Sequence, residues 1–386
     1  MPPKKIHLNQ NMNSKINFNT IYTSLREQIV NDMFHAGYVL PTEQELAHQH
    51  SVSRPTITKV YNKLQDEGYV LKKKRTGTTV IYNSPHDIYT FGLLLPGAGE
   101  SEIFSIINDQ LLKQSENGKF NCLWDGATAN NADIRKSLIL ACCDTYINKK
   151  VDGVLFSPLE RVHQADELNL MVCNRINAAG IPIVLLDRDI VKFPDRSGYD
   201  IVCIDNFNAG YIMGKHLVDA GCDHIIYFYR PYSACSVNLR LAGIREMACD
   251  EGLSFTAENV YCGNPEDLDF VRQIKIVKGK TGIVCANDST AAILMTSLDA
   301  LGVKITSDVL MNGFDDMKYS LHLKHSITSF RQPCVEMADL SIELITRRLK
   351  DRNLLPMTVL LSGEMVVRDS SSFAVNKDIS MNGYIK

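Results

Sequence analysis

Three pairs of polar residues stand directly behind apolar runs of strand length: Asp187-Arg188 after Leu186, Asn287-Asp288 after Ala286, and Asp315-Asp316 after Gly313-Phe314. Carboxylates, an amide and guanidinium groups converging on one cleft suit a polyhydroxylated ligand, because each takes two neighbouring hydroxyls and leaves no buried polar group unpaired. Phe104 or Trp124 can cover the apolar face of a sugar ring. Taken singly, a strand-end Asp is more often a helix cap or a turn residue; only the set of positions outweighs that reading. A second chemistry sits near the start of the chain, where Arg54, Lys59 and Lys63 lie on the exposed sides of a helical pattern and Lys72-Lys73-Lys74-Arg75 follow. A guanidinium matches the two acceptors of guanine bidentately, whereas lysines suit phosphate as point charges. A polyanion partner is expected there, with Arg54 reading a base edge.

The elements that must position these basic residues follow from spacing. Ile21, Leu25, Ile29 and Met33 recur every four residues, which predicts a helix with one apolar face ending near Gly37. Thr42 and Glu45 have the spacing of a capping box, predicting a short helix to about His50. After a tight turn at Ser51-Val52, Ser53 is expected to cap a third helix, with Pro55 in its first turn. Ile57, Val60, Tyr61 and Leu64 face inward, and Gly68 closes the helix. Tyr69–Leu71 and Thr79–Tyr82 then read as two strands of a basic hairpin turning at Thr76-Gly77. Helix, helix, tight turn, helix and hairpin is the order of a winged helix-turn-helix, whose third helix enters the major groove.

The segments Pro41–Ala47, Val52–Thr56, Leu64–Tyr69 and Gly77–Val80 resemble the GntR-family DNA-binding domain over residues 18–82. That resemblance implies that Gln44, Ser53, Arg54, Thr56 and Thr58 meet phosphates and base edges, with Thr76 and Gly77 at the wing tip. The chain departs from the family in carrying Arg75 where a glycine is usual, two positions before Gly77.

Past the polar stretch Asn83-Ser84-Pro85-His86 the texture changes. Strand-length apolar runs at 91–95, 120–124, 154–156, 183–186, 202–204, 225–229, 283–286 and 309–311 alternate with helical periodicity. The fold class expected is α/β, with parallel sheets covered by helices on both faces. So long an alternation exceeds what one open sheet usually holds, which predicts two doubly wound lobes with a ligand cleft at the carboxyl ends of their strands. Val151–Val154, Gly180–Arg188, Asp205-Asn206 with Ala209-Gly210, Leu239–Gly243, Ala286–Asp288 and Gly313–Asp316 resemble the LacI/GalR-type effector domain, itself similar to periplasmic sugar-binding proteins. The resemblance implies effector contacts from Asp187, Ser236, Arg240, Asn287 and Asp315, with Gln332 near the lobe crossover and Phe104 in the first loop. Arg188, beside Asp187, and Asp125, which ends the next strand after Trp124, complete the expected set. Expected boundaries are a flexible tail over 1–17, the winged domain over 18–83, a linker over 84–89, the two-lobed domain over 90–372 and a tail over 373–386. Lobe 1 is expected at about 90–189 and 332–358, and lobe 2 at about 200–331 and 359–372.

The totals agree with this division. The net charge is -3 over 386 residues, but residues 1–83 hold eleven Lys/Arg against six Asp/Glu, leaving thirty against thirty-eight for the rest. The eleven cysteines are scattered, apart from Cys142-Cys143, without C-x-x-C spacing, as small buried hydrophobes in a reducing compartment are. No apolar run at the start has the length of a signal peptide and none elsewhere spans a membrane, so a cytoplasmic location is expected. A regulator fused to a pyridoxal-phosphate enzyme-like half needs a Schiff-base lysine in a phosphate cup; no such motif, Walker loop, G-x-S-x-G or H-E-x-x-H occurs. His322 and His325 lie in a polar stretch and are read as solvated, so neither metal nor cofactor is expected. The expectation is a non-enzymatic transcription regulator, a homodimer on palindromic operator DNA, most often a repressor released by a sugar, with a purine or other small metabolite as the alternative effector.

Overall fold

The computed structural model describes residues 18–30, 33–34, 36–73, 77–82, 88–96, 102–124 and 132–372. The chain divides into two units, meeting between Ile88 and Tyr89. The first unit runs α1 (Phe18–Val30), β1 (Val39–Leu40), α2 (Glu43–Gln49), α3 (Arg54–Asp66), β2 (Val70–Lys73) and β3 (Gly77–Val80). Ile21, Leu25 and Ile29 of α1 are buried in one cluster with Ile57, Val60, Tyr61 and Leu64 of α3. The capping box forms as spaced: the Thr42 hydroxyl accepts from the Glu45 amide at 3.2 Å, and the Glu45 carboxylate accepts from the Thr42 amide at 2.8 Å. Two local expectations fail. α1 stops at Val30, leaving Met33 54% exposed while Phe34 enters the core instead. Ser53 occupies the N-cap position, but its hydroxyl meets Thr56 Oγ1 at 2.8 Å rather than a backbone amide. The hairpin pairs β2 with β3, which starts two residues before the expected second strand, and the short β1 adds to β3, giving the antiparallel order β1-β3-β2.

The second unit continues β4 (Thr90–Leu94), α4 (Glu102–Glu116), β5 (Asn121–Leu123), α5 (Ala132–Asn148), β6 (Gly153–Phe156), α6 (Ala165–Ala178), β7 (Ile183–Leu186) and β8 (Asp200–Ile204). Then come α7 (Asn206–Asp219), β9 (His224–Tyr229), α8 (Cys235–Asp250), β10 (Val260–Cys262), α9 (Leu268–Val271), β11 (Thr281–Cys285), α10 (Asp288–Ala300) and β12 (Val309–Phe314). Last are β13 (Thr328–Arg331), α11 (Cys334–Lys350), β14 (Thr358–Leu361) and β15 (Glu364–Val366). Two six-stranded sheets result, ordered β14-β8-β7-β6-β4-β5 and β10-β9-β11-β12-β13-β15. Every pairing is parallel except β13 with β15.

The sheets correct the expected lobe boundary. β8 pairs with β7 and β14 pairs with β8, so residues 200–204 and 358–361 belong to lobe 1. The reason is a long-range ion pair: Asp200, 2% exposed at the start of β8, takes Arg348 of α11 at 2.8 Å and the Met357 amide at 2.8 Å. The chain therefore passes between lobes three times, at Asp205, at Gln332-Pro333 and at Ser362-Gly363.

Two contacts in lobe 2 set the cleft. α7 and α8 cross so closely that a Cβ on Gly243 would lie 1.9 Å from the Phe207 carbonyl, and one on Gly210 2.1 Å from the Arg240 carbonyl. Backbone thus packs on backbone beside Arg240. Asp288, fully buried at the start of α10, accepts from the Met317 amide at 2.8 Å and from Ser329 Oγ at 2.7 Å, tying down the turn that carries Asp315. Burial raises the Asp288 carboxyl to about 8.

Gly243→Ala must push α7 from α8, and is expected to cost about 1–3 kcal/mol or more of stability in urea denaturation; a change within error contradicts the backbone contact. A carboxyl whose pKa is raised on folding holds its proton more tightly folded than unfolded, so its contribution is largest at low pH and is lost as pH rises to about 8. Asp288→Asn is expected to flatten that decline in denaturation series across this range, and an unaltered slope contradicts a protonated Asp288.

Candidate functional site

The cleft between the lobes has a volume of about 340 Å³ and is lined from the carboxyl ends of both sheets. Lobe 1 contributes Ser157 and Glu160-Arg161 behind β6 and Asp187-Arg188 behind β7; lobe 2 contributes Asn287 behind β11, Asp315 behind β12 and Gln332 behind β13. Phe104 of α4 and Ser236 and Arg240 of α8 complete the predicted set that the fold brings together. Trp124 packs against the core and is not among the lining residues. Asp125 lies outside the described residues.

Arg240 is the most constrained group. Its Nε donates to Asn206 Oδ1 at 2.8 Å, Nη1 donates to the Ala286 carbonyl at 2.5 Å, and Cζ stands 3.3 Å from the centre of the Phe314 ring. Gln332, on the crossing segment, donates to Asp315 Oδ1 at 2.8 Å. Burial lifts the Asp315 carboxyl to about 6 against the opposing charge of Arg240 and the Gln332 bond. Burial also raises Asp187, opposed by Arg188, whose Nε stands 3.2 Å from Asp187 Oδ2. Asp187 and Asp315 both hold left-handed backbone, with φ of 71° and 99°, a sparsely populated conformation in which Asp is enriched. Asn287 does double duty, since its Oδ1 caps α10 by accepting from the Thr290 amide at 2.8 Å.

Sequence reasoning missed Glu160, which ties the lobes together. Its Oε2 accepts from the Ala234 amide of lobe 2 at 3.1 Å and meets Arg188 Nη1 at 3.1 Å. Burial raises its carboxyl, and the Arg188 and Arg161 guanidiniums more than reverse that, holding it at about 2. The signal was present, because polar residues behind the 154–156 run obey the same strand-end rule, but Pro158-Leu159 intervene.

In the first unit, Gln44, Ser53, Arg54 and Lys59 are exposed, and Thr56 is half-buried at the start of α3. Glu43, also missed from sequence, organises them: one carboxylate oxygen accepts from Thr58 Oγ1 at 2.9 Å and meets Arg54 Nε at 3.3 Å, while the other accepts from Lys72 Nζ at 2.9 Å. The Lys72 bond is the main cause that holds the Glu43 carboxyl below its usual range. Thr58 therefore turns its hydroxyl inward. Lys63 is drawn onto α1, its Nζ 4.1 Å from the centre of the Tyr22 ring and 4.0 Å from Glu67 Oε1. Gly77 is exposed with φ of 90°, and Thr76 lies outside the described residues.

Residues 17–80 match the model of bacterial regulatory proteins of the gntR family, and residues 215–371 that of the periplasmic binding protein-like domain. An arabinose metabolism transcriptional repressor of Halalkalibacterium halodurans is 24% identical over 379 residues, covering 92% of this chain and 97% of that protein. The transcriptional repressor PurR of Aliivibrio fischeri is 25% identical over 228 residues, covering 58% of this chain and 65% of its own. Among solved structures, the transcription regulator CcpA of Lactococcus lactis superposes with a TM-score of 0.61 at 20% identity, over 73% of this chain and 99% of that one. A complex of the transcriptional regulator CelR with cellobiose gives 0.61 at 20% identity, over 86% and 100%. The chain joins a gntR-family helix-turn-helix domain to a periplasmic binding protein-like domain of the LacI-type fold.

Proposed function

We propose that this regulator represses genes of sugar utilisation and leaves its operator when a sugar occupies the cleft. The observation that carries the reading is the convergence of Asp187, Arg188, Arg240, Asn287, Asp315 and Gln332 on one cleft between lobes linked by three crossings, on the same chain as a helix-turn-helix. Relatives named as arabinose repressors and a neighbour solved with cellobiose support a sugar. The PurR relatives favour a purine. Against that, Phe104 is the single aromatic ring in the described lining, and its strand ends are carboxylates, amides and guanidiniums suited to hydroxyls. A ligand that prefers one lobe arrangement lowers affinity for DNA by the same coupling energy, about 1–3 kcal/mol. Two copies of the head reading a palindrome supply selectivity that one winged domain lacks, so the working species is a homodimer. No helix among the described residues is long and apolar enough to cross a membrane, in keeping with action on DNA in the cytoplasm.

On operator DNA recovered by in vitro selection, Arg54→Ala is expected to weaken binding by about 1–3 kcal/mol and to relax sequence preference; equally tight and selective binding in gel-shift titration removes Arg54 from base reading. Asp315→Ala combined with Arg240→Ala is expected to abolish release of operator by the sugar that stabilises the wild type in a thermal-shift panel of L-arabinose, D-ribose and cellobiose. Saturation at a hundredfold over Kd adds about 2.7 kcal/mol of stability, enough to detect. Normal release by the double variant places the effector elsewhere.

A further inference from the structure

Among the described residues, two guanidiniums of the cleft are left outside its close ion pairs, Arg135 and Arg161, although Arg161 is near enough to Glu160 to help hold that carboxyl low. The described lining holds three carboxylates, Glu160, Asp187 and Asp315, against four arginines, Arg135, Arg161, Arg188 and Arg240. Arg188 is paired with Glu160 and Asp187, and Arg240 is held by Asn206, the Ala286 carbonyl and Phe314. Among the described residues, Arg135 and Arg161 make no ion pair, and the Nε of each is buried without a hydrogen-bond partner. The hydroxyl of Ser157, 2% exposed and lining the same cleft, also has no partner among them. Arg161 and Ser157 follow β6, and Arg135 stands in the first turn of α5, which leads into β6. All three belong to the part of lobe 1 away from β8 and the crossing segments. Among the described residues, the Arg230 guanidinium donates only to the Ser289 carbonyl, at 3.5 Å. Burial first, then the neighbouring Arg161 charge, holds Arg230 below the usual guanidinium value, as like charges held close together must.

A guanidinium cannot shed its proton, and a half-buried cation without a partner is costly. A neutral sugar brings only hydroxyl dipoles to such a place, whereas a phosphate or carboxylate brings paired oxygens that fit the guanidinium fork. We infer that the effector is an anionic sugar, a polyol bearing a phosphate or a carboxylate, with its hydroxyls held by Asp187, Asn287 and Asp315 and its anionic group by Arg135, Arg161 and Ser157. The inference rests on the sugar reading of the cleft and names the charge of the ligand within it.

Calorimetric titration of the full chain against matched sets tests it: D-ribose with D-ribose 5-phosphate and D-ribonate, L-arabinose with L-arabinonate, D-arabinose with its 5-phosphate, and D-glucose with its 6-phosphate and D-gluconate. In at least one set a charged member is expected to bind about 10–100-fold tighter than its neutral parent, and the phosphate and carboxylate arms tell the two anions apart. That ratio is expected to fall toward one in Arg161→Gln and Arg135→Gln and to survive in part in Arg161→Lys. Thermal melts of each ligand-free variant show whether it folds. A neutral sugar that binds as tightly as its charged forms, or a ratio unchanged in both Gln variants, overturns the inference while leaving the sugar effector in place. A panel in which no sugar binds, charged or neutral, overturns the sugar reading and this inference together.

Discussion

The cleft depends on one place where two helices touch through their backbones. Because residues 210 and 243 carry no side chains, α7 and α8 approach until main chain meets main chain, and Arg240 leaves α8 from within that contact. Its guanidinium can then reach Asn206 at the head of α7, the Ala286 carbonyl behind β11 and the Phe314 ring at the end of β12. Two strand ends and one helix start of lobe 2 are indexed to one side chain in this way. Separating the helices by the width of a methyl group would move the arginine relative to all of them, since packed interiors transmit such displacements.

Much of this was legible in the sequence, and what was not has physical causes. The head was readable because its signals are local: the Thr42/Glu45 box, Pro55 in the first turn of α3 and the four-residue spacing of α1 act over one or two turns. The eight apolar runs mark eight of the strands of the second unit for a similar reason, as strands buried on both faces are apolar throughout. The same property hides which sheet a strand joins. β8 is buried at all five positions and would read identically in either lobe; what places it is Asp200 meeting Arg348, nearly 150 residues later. β10, β14 and β15 carry partly exposed, weakly patterned residues, and β13 is buried but opens on Thr328 and Ser329, so these four left no run to find.

The site divides along the same line. Strand-end residues Asp187, Asn287 and Asp315 were visible because the carboxyl ends of parallel strands are where ligands bind. Glu43 and Glu160 were not, because each acts as a hub whose partners come from distant segments: Arg54, Thr58 and Lys72 for the first, Arg188 and Ala234 for the second. Ordinary acidic residues on a helix start or a loop carry no mark of that kind. Charge follows a similar logic at larger scale, since the basic excess of residues 1–83 could be counted directly whereas the imbalance inside the cleft required the pairs to be drawn.

The three crossings between the lobes also order events on the ribosome. Lobe 1 begins at Thr90 but its sheet is closed by β14 at Thr358–Leu361, and α11, which packs on it, spans Cys334–Lys350. Its edge must wait for most of the chain to emerge, whereas the head has all its described elements by Val80 and is a contact unit of its own. During synthesis the part that grips DNA thus precedes the part that can be told to let go. A nascent or truncated regulator would carry an operator-binding head whose sensor is still unable to answer its signal.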